Sequence, residues 1–209
     1  MAKAKIETKK RGRPRKDERP AEILEAGFRE FAEKGFLATR LDDVAARAGV
    51  AKGTVYLYYE SKEALFEAAV RSRMLPVVAQ VATLAGAQDG STAELLGMIM
   101  RTMYKRIADP DVRTLMRIII ADGQRFPGLI TFYHREVLSK LMALMKGLLA
   151  RGVSRGEVRK GALTELPEVL VGPGIMAAIW QMTFAGEEDI PLERFLAAHL
   201  DLIERCLRR

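Results

Sequence analysis

Cysteine, histidine and long apolar runs are scarce in this sequence of 209 residues. The single cysteine, Cys206, excludes an intramolecular disulfide framework. The two histidines, His134 and His199, lie far apart, and neither has other metal-ligating residues at the short spacing of a metal site. The sequence also lacks a Gly-x-Ser-x-Gly motif and a Walker phosphate loop. These absences predict a protein that is not an enzyme and that has no metal and no cofactor.

Apolar residues never form the uninterrupted run of about 18 residues that a membrane-spanning helix needs. The richest window, residues 169–180, is interrupted by Gly-Pro-Gly. The first 22 residues contain no apolar segment of the kind found in signal peptides. The sequence therefore predicts a cytoplasmic protein without a membrane partner.

Positive charge is concentrated at the beginning of the chain, although the formal net charge is only +7. Residues 1–20 hold nine of the 34 lysines and arginines but three of the 27 acidic residues, so the rest of the chain is nearly neutral. Residues 1–19 also have no apolar periodicity, which predicts a disordered basic arm. A segregated basic arm is typical of proteins that bind nucleic acid.

Arg11 and Arg13 of this arm belong to an Arg-Gly-Arg-Pro sequence that resembles the core of an AT-hook. In that motif an extended backbone places arginines in the narrow minor groove of A/T-rich DNA. The alternative is a polybasic tail that binds phosphates without sequence preference. The residues alone leave both interpretations open.

Two short amphipathic helices are predicted within residues 41–59, joined by a turn at Gly49. Thr39 precedes the first helix as its expected N-cap, and Gly49 provides the left-handed backbone that ends it. The second helix begins at Lys52, and its Val55 and Tyr59 are expected to face inward. An apolar-Gly-apolar turn between two short helices is the helix-turn-helix pattern of DNA-binding proteins. The alternative is an ordinary helical hairpin.

Two outward tyrosines, Tyr56 and Tyr58, favour the DNA-binding interpretation, because a tyrosine hydroxyl donates readily to a phosphate oxygen. Three sequence motifs include or flank these tyrosines. They are Phe31, Gly35, Phe36 and Thr39; residues 43–58 (DVAARAGVAKGTVYLY); and residues 61–66 (SKEALF). Through these motifs, residues 23–66 resemble the DNA-binding domain of the tetracycline-repressor (TetR/AcrR) family.

The resemblance implies an all-α protein in which three helices form a DNA-binding domain. A long fourth helix would join it to a C-terminal helical domain that binds a ligand and forms the dimer. The implied regions are the arm at 1–19, the helix-turn-helix domain at 20–66, and the ligand-binding and dimerisation domain at 67–209. Three positions differ from the family pattern. Arg40 replaces the usual small hydroxyl residue, and Tyr59 replaces the usual Phe. Ala51 replaces the usual Ser and so removes a side-chain N-cap, which costs about 1 kcal/mol in general.

By the same resemblance, the chain is expected to be a homodimeric, sequence-specific transcriptional regulator. The expected type is a repressor that a small apolar or aromatic effector releases from a palindromic operator. An activator, or an architectural DNA-binding protein without a ligand, is the alternative. Base edges would be approached by Gly53, Thr54 and Tyr56. Phosphates would be bound by Arg40, Lys52, Tyr58 and Lys62, with Arg11 and Arg13 in the arm.

In the rest of the sequence, apolar residues recur at the spacing of helices and do not alternate with polar residues as they do in β-strands. A Ser61 cap, a capping box of Ser91 and Glu94, and an Asp109 cap are expected to open three of its helices. Gly152 is expected to end a further one. Helices are predicted at residues 20–34, 61–85, 91–108, 109–124, 127–151, 166–184 and 191–207. By resemblance, the last two form the dimer interface.

Methionine and aromatic side chains on these helices suit a cavity for an apolar or aromatic ligand, although plain core packing is the alternative for each of them. The candidate ligand-binding residues are Met103, Met116, Phe126, Tyr133, Met176 and Trp180.

Overall fold

The computed structural model describes residues 19–184, 186–187 and 190–207, and within them every regular element is helical. This confirms the predicted all-α class. The elements are α1 (Arg19–Ala38), α2 (Leu41–Ala48), α3 (Lys52–Tyr58), α4 (Lys62–Gly86), α5 (Thr92–Ile107), α6 (Pro110–Asp122), α7 (Pro127–Tyr133), a π-helical segment (His134–Leu138), α8 (Ser139–Ser154), α9 (Ala162–Glu165), α10 (Glu168–Thr183) and α11 (Leu192–Leu207).

The first helix stops in effect at Gly35, as predicted, because this residue has φ 77° and ψ 172°. Such a positive φ is strained for any residue with a Cβ. The predicted N-cap at Thr39 is wrong: its hydroxyl donates to the Gly35 carbonyl at 2.7 Å, and Arg40 occupies the N-cap position without a side-chain cap. The turn after Gly35 directs the Thr39 hydroxyl back along the chain, away from α2.

A left-handed glycine joins α2 to α3, as the sequence predicts. Gly49 has φ 66° and ψ 32°, and the Val50 amide donates to the Ala45 carbonyl at 3.0 Å. At the start of α3, Ala51 provides no side-chain cap, which confirms the expected loss. Val55 is fully buried in a cluster with residues of α1, α2 and α4, so this side of α3 faces the domain core.

Local caps start the longer helices at the predicted residues. The Ser61 side chain accepts from the Ala64 amide, and Ser91 forms a complete capping box with Glu94. Asp109 accepts from the Asp111 amide at the start of α6. These predictions are confirmed because each cap involves residues only two or three positions apart in sequence.

The predicted helix at residues 127–151 is continuous through α7, the π-helical segment and α8, but it ends at Ser154 and not before Gly152. Gly152 lies inside α8, where a Cβ would come within 2.5 Å of the Thr92 hydroxyl. The lack of a side chain at this glycine therefore allows α8 to pack closely against the start of α5. The left-handed glycine of the turn is Gly156, with φ 73°.

The buried apolar residues form two clusters. The first contains α1 to α3 and the start of α4, together with residues of α6 and α7 such as Leu115 and Phe132. The second contains the rest of α4 with α5, α8, α10 and α11. Helix α6 therefore packs directly on the helix-turn-helix unit, and this contact positions the sites described next. In the part of the chain that the structure describes, no helix is both long and apolar enough to cross a lipid bilayer.

Candidate nucleic-acid interface and ligand cavity

The exposed face of α3 is the candidate nucleic-acid interface. Burial of Val55 turns Gly53, Tyr56 and Leu57 toward solvent, while Thr54 is half-buried. Nothing lies within 4 Å of the position that a Gly53 Cβ would occupy, so the helix backbone is open there. Tyr56 is 46% exposed and Tyr58 36% exposed. The surface offers hydroxyls, one bare stretch of backbone and one apolar side chain.

Lys52 and Arg40 contribute positive charge beside this face. The Lys52 ammonium lies 2.8 Å from an Asp42 carboxylate oxygen of α2, and this hydrogen bond raises the pKa of Lys52. The same ammonium lies 5.9 Å from the centre of the Tyr56 ring. Arg40 is exposed at the start of α2. Arg11 and Arg13, predicted as minor-groove contacts, lie outside the described residues.

Lys62 is placed differently from the other predicted phosphate contacts. Its ammonium donates to the Leu37 carbonyl at 3.1 Å and lies 4.6 Å from the centre of the Phe36 ring. Burial lowers the pKa of Lys62. Because the ammonium is directed toward the turn before α2, Lys62 joins α4 to that turn.

Tyr59 turns inward, as predicted, and its hydroxyl donates to the Pro20 carbonyl at 3.0 Å. The replacement of the family's usual Phe thus adds a hydrogen bond that a phenylalanine lacks. It holds the beginning of α1 against the residue that follows α3.

A second candidate site is an apolar cavity of about 120 Å³ between α4, α5, α6, α8 and α10. Three of the predicted ligand-binding residues, Met103, Met116 and Tyr133, line it. Six methionines contribute to its walls: Met74, Met100, Met103, Met116, Met142 and Met145. Since methionine side chains are flexible and polarisable, the walls can adapt to a ligand of another shape.

Polar groups in this cavity are few. Burial raises the pKa of Tyr133 to about 12, so its hydroxyl stays protonated and is available as a donor. Among the residues that the structure describes, none forms a hydrogen bond with that hydroxyl. Arg106 also lines the cavity, and its guanidinium lies 4.0 Å from an Asp109 carboxylate oxygen. Arg106 was not predicted from the sequence, although its position three residues after Met103 puts both on one helix face.

The other three predicted ligand-binding residues lie away from the cavity. Phe126 packs against Phe36, with ring centres 4.7 Å apart. Met176 is 46% exposed, and Trp180 packs on Phe195 at 6.3 Å. Neighbouring Ile175 lines the cavity instead, because adjacent positions on a helix differ in direction by about 100°.

Two family models match the chain. The model described as bacterial regulatory proteins, tetR family, matches residues 23–69, and the model described as tetracyclin repressor-like, C-terminal domain, matches residues 87–209. The chain belongs to the tetR family. Its relatives are transcriptional regulators and not enzymes, so this tetR-family protein is a DNA-binding regulator.

Individual relatives agree with this assignment. The uncharacterised HTH-type transcriptional regulator YdeS of Bacillus subtilis is 28% identical over 180 residues, which span 86% of this chain and 85% of YdeS. FadR of Bacillus subtilis, solved in complex with stearoyl-CoA, superimposes with a TM-score of 0.75 at 19% identity over 90% of this chain and 99% of its own. A complex of SmeT with triclosan gives 0.78 at 22% identity, over 91% and 92%. At these identities the two structures show the shared fold.

The tetR-family regulator also has contacts between its helix-turn-helix unit and α6 that the sequence analysis missed. An Asp122 carboxylate oxygen accepts from the Phe36 amide at 3.1 Å, and Arg117 donates to the Ala32 carbonyl at 2.7 Å. At the other end of α6, Arg73 bridges Asp111 and Glu25 at 3.0 and 2.8 Å. No local pattern marks these residues, because their partners are far away in the sequence.

Proposed function

We propose that this regulator is a homodimeric repressor that binds an inverted-repeat operator through α3 and is released by a small apolar or aromatic effector in the methionine-lined cavity. The observation that carries this proposal is the double role of α6. Its Val112 and Met116 line the cavity, while Asp122 at its end binds the Phe36 amide of the helix-turn-helix unit. A ligand that moves Val112 and Met116 would therefore shift α6 and disturb the hydrogen bond between Asp122 and Phe36.

DNA recognition would use the exposed face of α3 in the major groove. Gly53, Thr54 and Tyr56 would approach base edges. Phosphates would be bound by Arg40, Lys52 and Tyr58, whereas Lys62, held at the Leu37 carbonyl, would first have to leave that carbonyl to reach one. A dimer would bind two half-sites about 34 Å apart or a multiple of that distance, because each α3 must enter the same side of the duplex.

Dimerisation through α10 and α11 is supported by an apolar surface on these two helices. Val169, Met176 and Trp180 recur on one face of α10, and Leu202 is 49% exposed on α11. The Trp180 and Phe195 rings join the two helices across this surface. Several exposed apolar residues on two packed helices are typical of a surface that another protein covers. Dimers are typical of the family.

The effector class follows from the cavity walls. They are apolar apart from the Tyr133 hydroxyl and the Arg106 guanidinium, so an apolar or aromatic body with one oxygen acceptor fits their chemistry. Relatives bound to stearoyl-CoA and to triclosan support an apolar ligand. The present volume of about 120 Å³ is below the roughly 300 Å³ at which ligand pockets begin. Binding would therefore require movement of methionine side chains, and through them of α6.

Such an effector changes DNA binding only through its different affinities for the two arrangements of the dimer. An activator would use the same machinery at another operator position. An architectural protein without a ligand would leave the cavity without a role.

A footprint on the DNA upstream of the protein's own gene, at near-physiological salt, tests the proposal. We expect a protected inverted repeat that is lost when apolar or aromatic compounds are added. Diffuse protection that disappears with a modest increase in salt would instead identify an architectural DNA-binding protein, since phosphate contacts alone give a steep salt dependence.

A further inference from the structure

The centre of the exposed face of α3 is formed by two residues, Gly53 and Leu57. With about 100° between successive residues, both lie about 160° from the buried Val55, nearly opposite to it. Thr54 and Tyr56 lie about 100° away on the two flanks. Leu57 is 81% exposed, more than Tyr56 or Tyr58. The most exposed of these three side chains is therefore an apolar one.

Gly53 has no structural reason for being glycine in this protein. Its backbone does not have a positive φ, and nothing lies within 4 Å of a Cβ built there. A glycine in a helix costs about 1 kcal/mol relative to alanine. A bare position one turn before Leu57 allows the helix backbone to come close to another surface at that point.

We infer that Leu57 is a specificity-determining residue of this regulator and that it contacts the 5-methyl group of a thymine in each half-site. The inference rests on the proposed function, in which α3 enters the major groove. A leucine has no donor or acceptor, so it cannot bind a phosphate or the polar edge of a base. The thymine methyl is the apolar group that bases present in the major groove. Gly53 lets the helix approach closely enough for Leu57 to reach it.

The experiment removes one methyl at a time from the DNA. A duplex is selected from a random pool by the wild-type protein, and each thymine in turn is replaced by deoxyuridine, which lacks only the 5-methyl group. We expect one such replacement in each half-site to weaken wild-type binding about fourfold, the worth of one buried methyl. Leu57→Ala should weaken binding to the thymine duplex and should bind the two duplexes equally.

Two controls and two contrary outcomes complete the test. Thr54→Ala, on the flank of α3, and Ile120→Ala, another exposed aliphatic residue, should keep the wild-type difference between thymine and deoxyuridine. If wild-type protein binds specifically but Leu57→Ala keeps that difference, or no methyl matters, the inference is overturned and the proposed function stands. If no duplex is selected above random DNA, the proposed function fails, and the inference fails with it.

Discussion

Two lysines near the candidate interface have different surroundings in this protein. Lys52 is exposed beside the α3 face, whereas the Lys62 ammonium is held at the Leu37 carbonyl and against the Phe36 ring. Both were predicted to bind phosphate. Their surroundings now predict different effects on DNA binding.

Salt dependence separates these two lysines. Lys52→Gln should reduce the slope of log affinity against log salt by about one, because one phosphate contact is lost. Lys62→Gln should leave the slope nearly unchanged. Fluorescence anisotropy with an operator duplex over a series of salt concentrations measures both. Equal reductions in the two variants would show that Lys62 leaves Leu37 and binds phosphate in the complex.

Two glycines of α8 differ in the space that surrounds them. A Cβ at Gly152 would lie 2.5 Å from the Thr92 hydroxyl and 2.8 Å from a Val158 methyl, while nothing lies near Gly147. We expect Gly152→Ala to lower the free energy of unfolding by about 1–3 kcal/mol through overpacking. Gly147→Ala, the matched control, should raise it by about 0.5–1 kcal/mol through the better helix propensity of alanine. Urea denaturation followed by circular dichroism measures both changes, and a stable Gly152→Ala protein would contradict the close approach of α8 to α5.

Among the helices, α6 connects the cavity to the helix-turn-helix unit. Asp122→Asn keeps the shape of the side chain but replaces the carboxylate that accepts from the Phe36 amide. We expect the ratio of operator affinities without and with a releasing compound to shrink about three- to tenfold, because the amide oxygen of asparagine still accepts and a neutral hydrogen bond is weaker than a charged one by about 1 kcal/mol. Affinity of that compound for the DNA-free protein should change little.

The matched control is Asp201→Asn, a change of the same type at an exposed position on α11. It should leave the operator ratio at the wild-type value. If Asp122→Asn also does so, the link between effector and DNA does not pass through the end of α6.

Helix α11 docks on α5 and α10 around a buried histidine. The His199 Nε2 lies 2.8 Å from the Leu170 carbonyl, which can only accept, so Nε2 carries the proton and Nδ1 accepts from the Tyr104 hydroxyl at 3.3 Å. Burial lowers the pKa of His199, an effect that outweighs the bond to Leu170. The folded protein therefore holds this imidazole neutral.

Stability should consequently fall as the pH falls below about 6.5, the ordinary pKa of histidine, because the unfolded chain then binds a proton more readily than the folded chain. Above that pH the stability contributed by the neutral His199 is fully present. Below the folded-state pKa of His199 that contribution is completely lost. Urea midpoints between pH 7.5 and 5 measure it. His199→Gln should remove this part of the decline, while the exposed His134→Gln should retain it. Identical pH profiles in all three proteins would contradict a buried neutral His199.

At the scale of the whole molecule, the proposed dimer interface is the apolar surface of α10 and α11. Met176→Glu places a charge in the centre of that surface, and we expect sedimentation to show the 23.3 kDa monomer in place of the dimer. Operator affinity should fall with it, because the two α3 helices lose their fixed spacing. Ile120→Glu, an exposed position on α6, should remain dimeric. A monomeric wild-type protein would contradict this arrangement.

Features that depend on local chemistry could be predicted from the sequence alone. The α2–α3 pair, the caps at Ser61, Ser91 and Asp109, and the break at Gly35 all depend on residues a few positions apart, so their patterns are complete in a short stretch. The same stretch holds enough of the family's motifs to identify the regulator class.

Which face of each helix meets which neighbour could not be predicted, because it depends on contacts between distant parts of the chain. Asp122 and Phe36, Gly152 and Thr92, and Lys62 and Leu37 are contacts between distant parts of the chain. For the same reason, half of the predicted cavity residues line the cavity, while Met176 and Trp180 lie on an outer face. Composition and spacing show that a helix has an apolar face, but a rotation of about 100° per residue means that its packing partners decide what each side chain contacts.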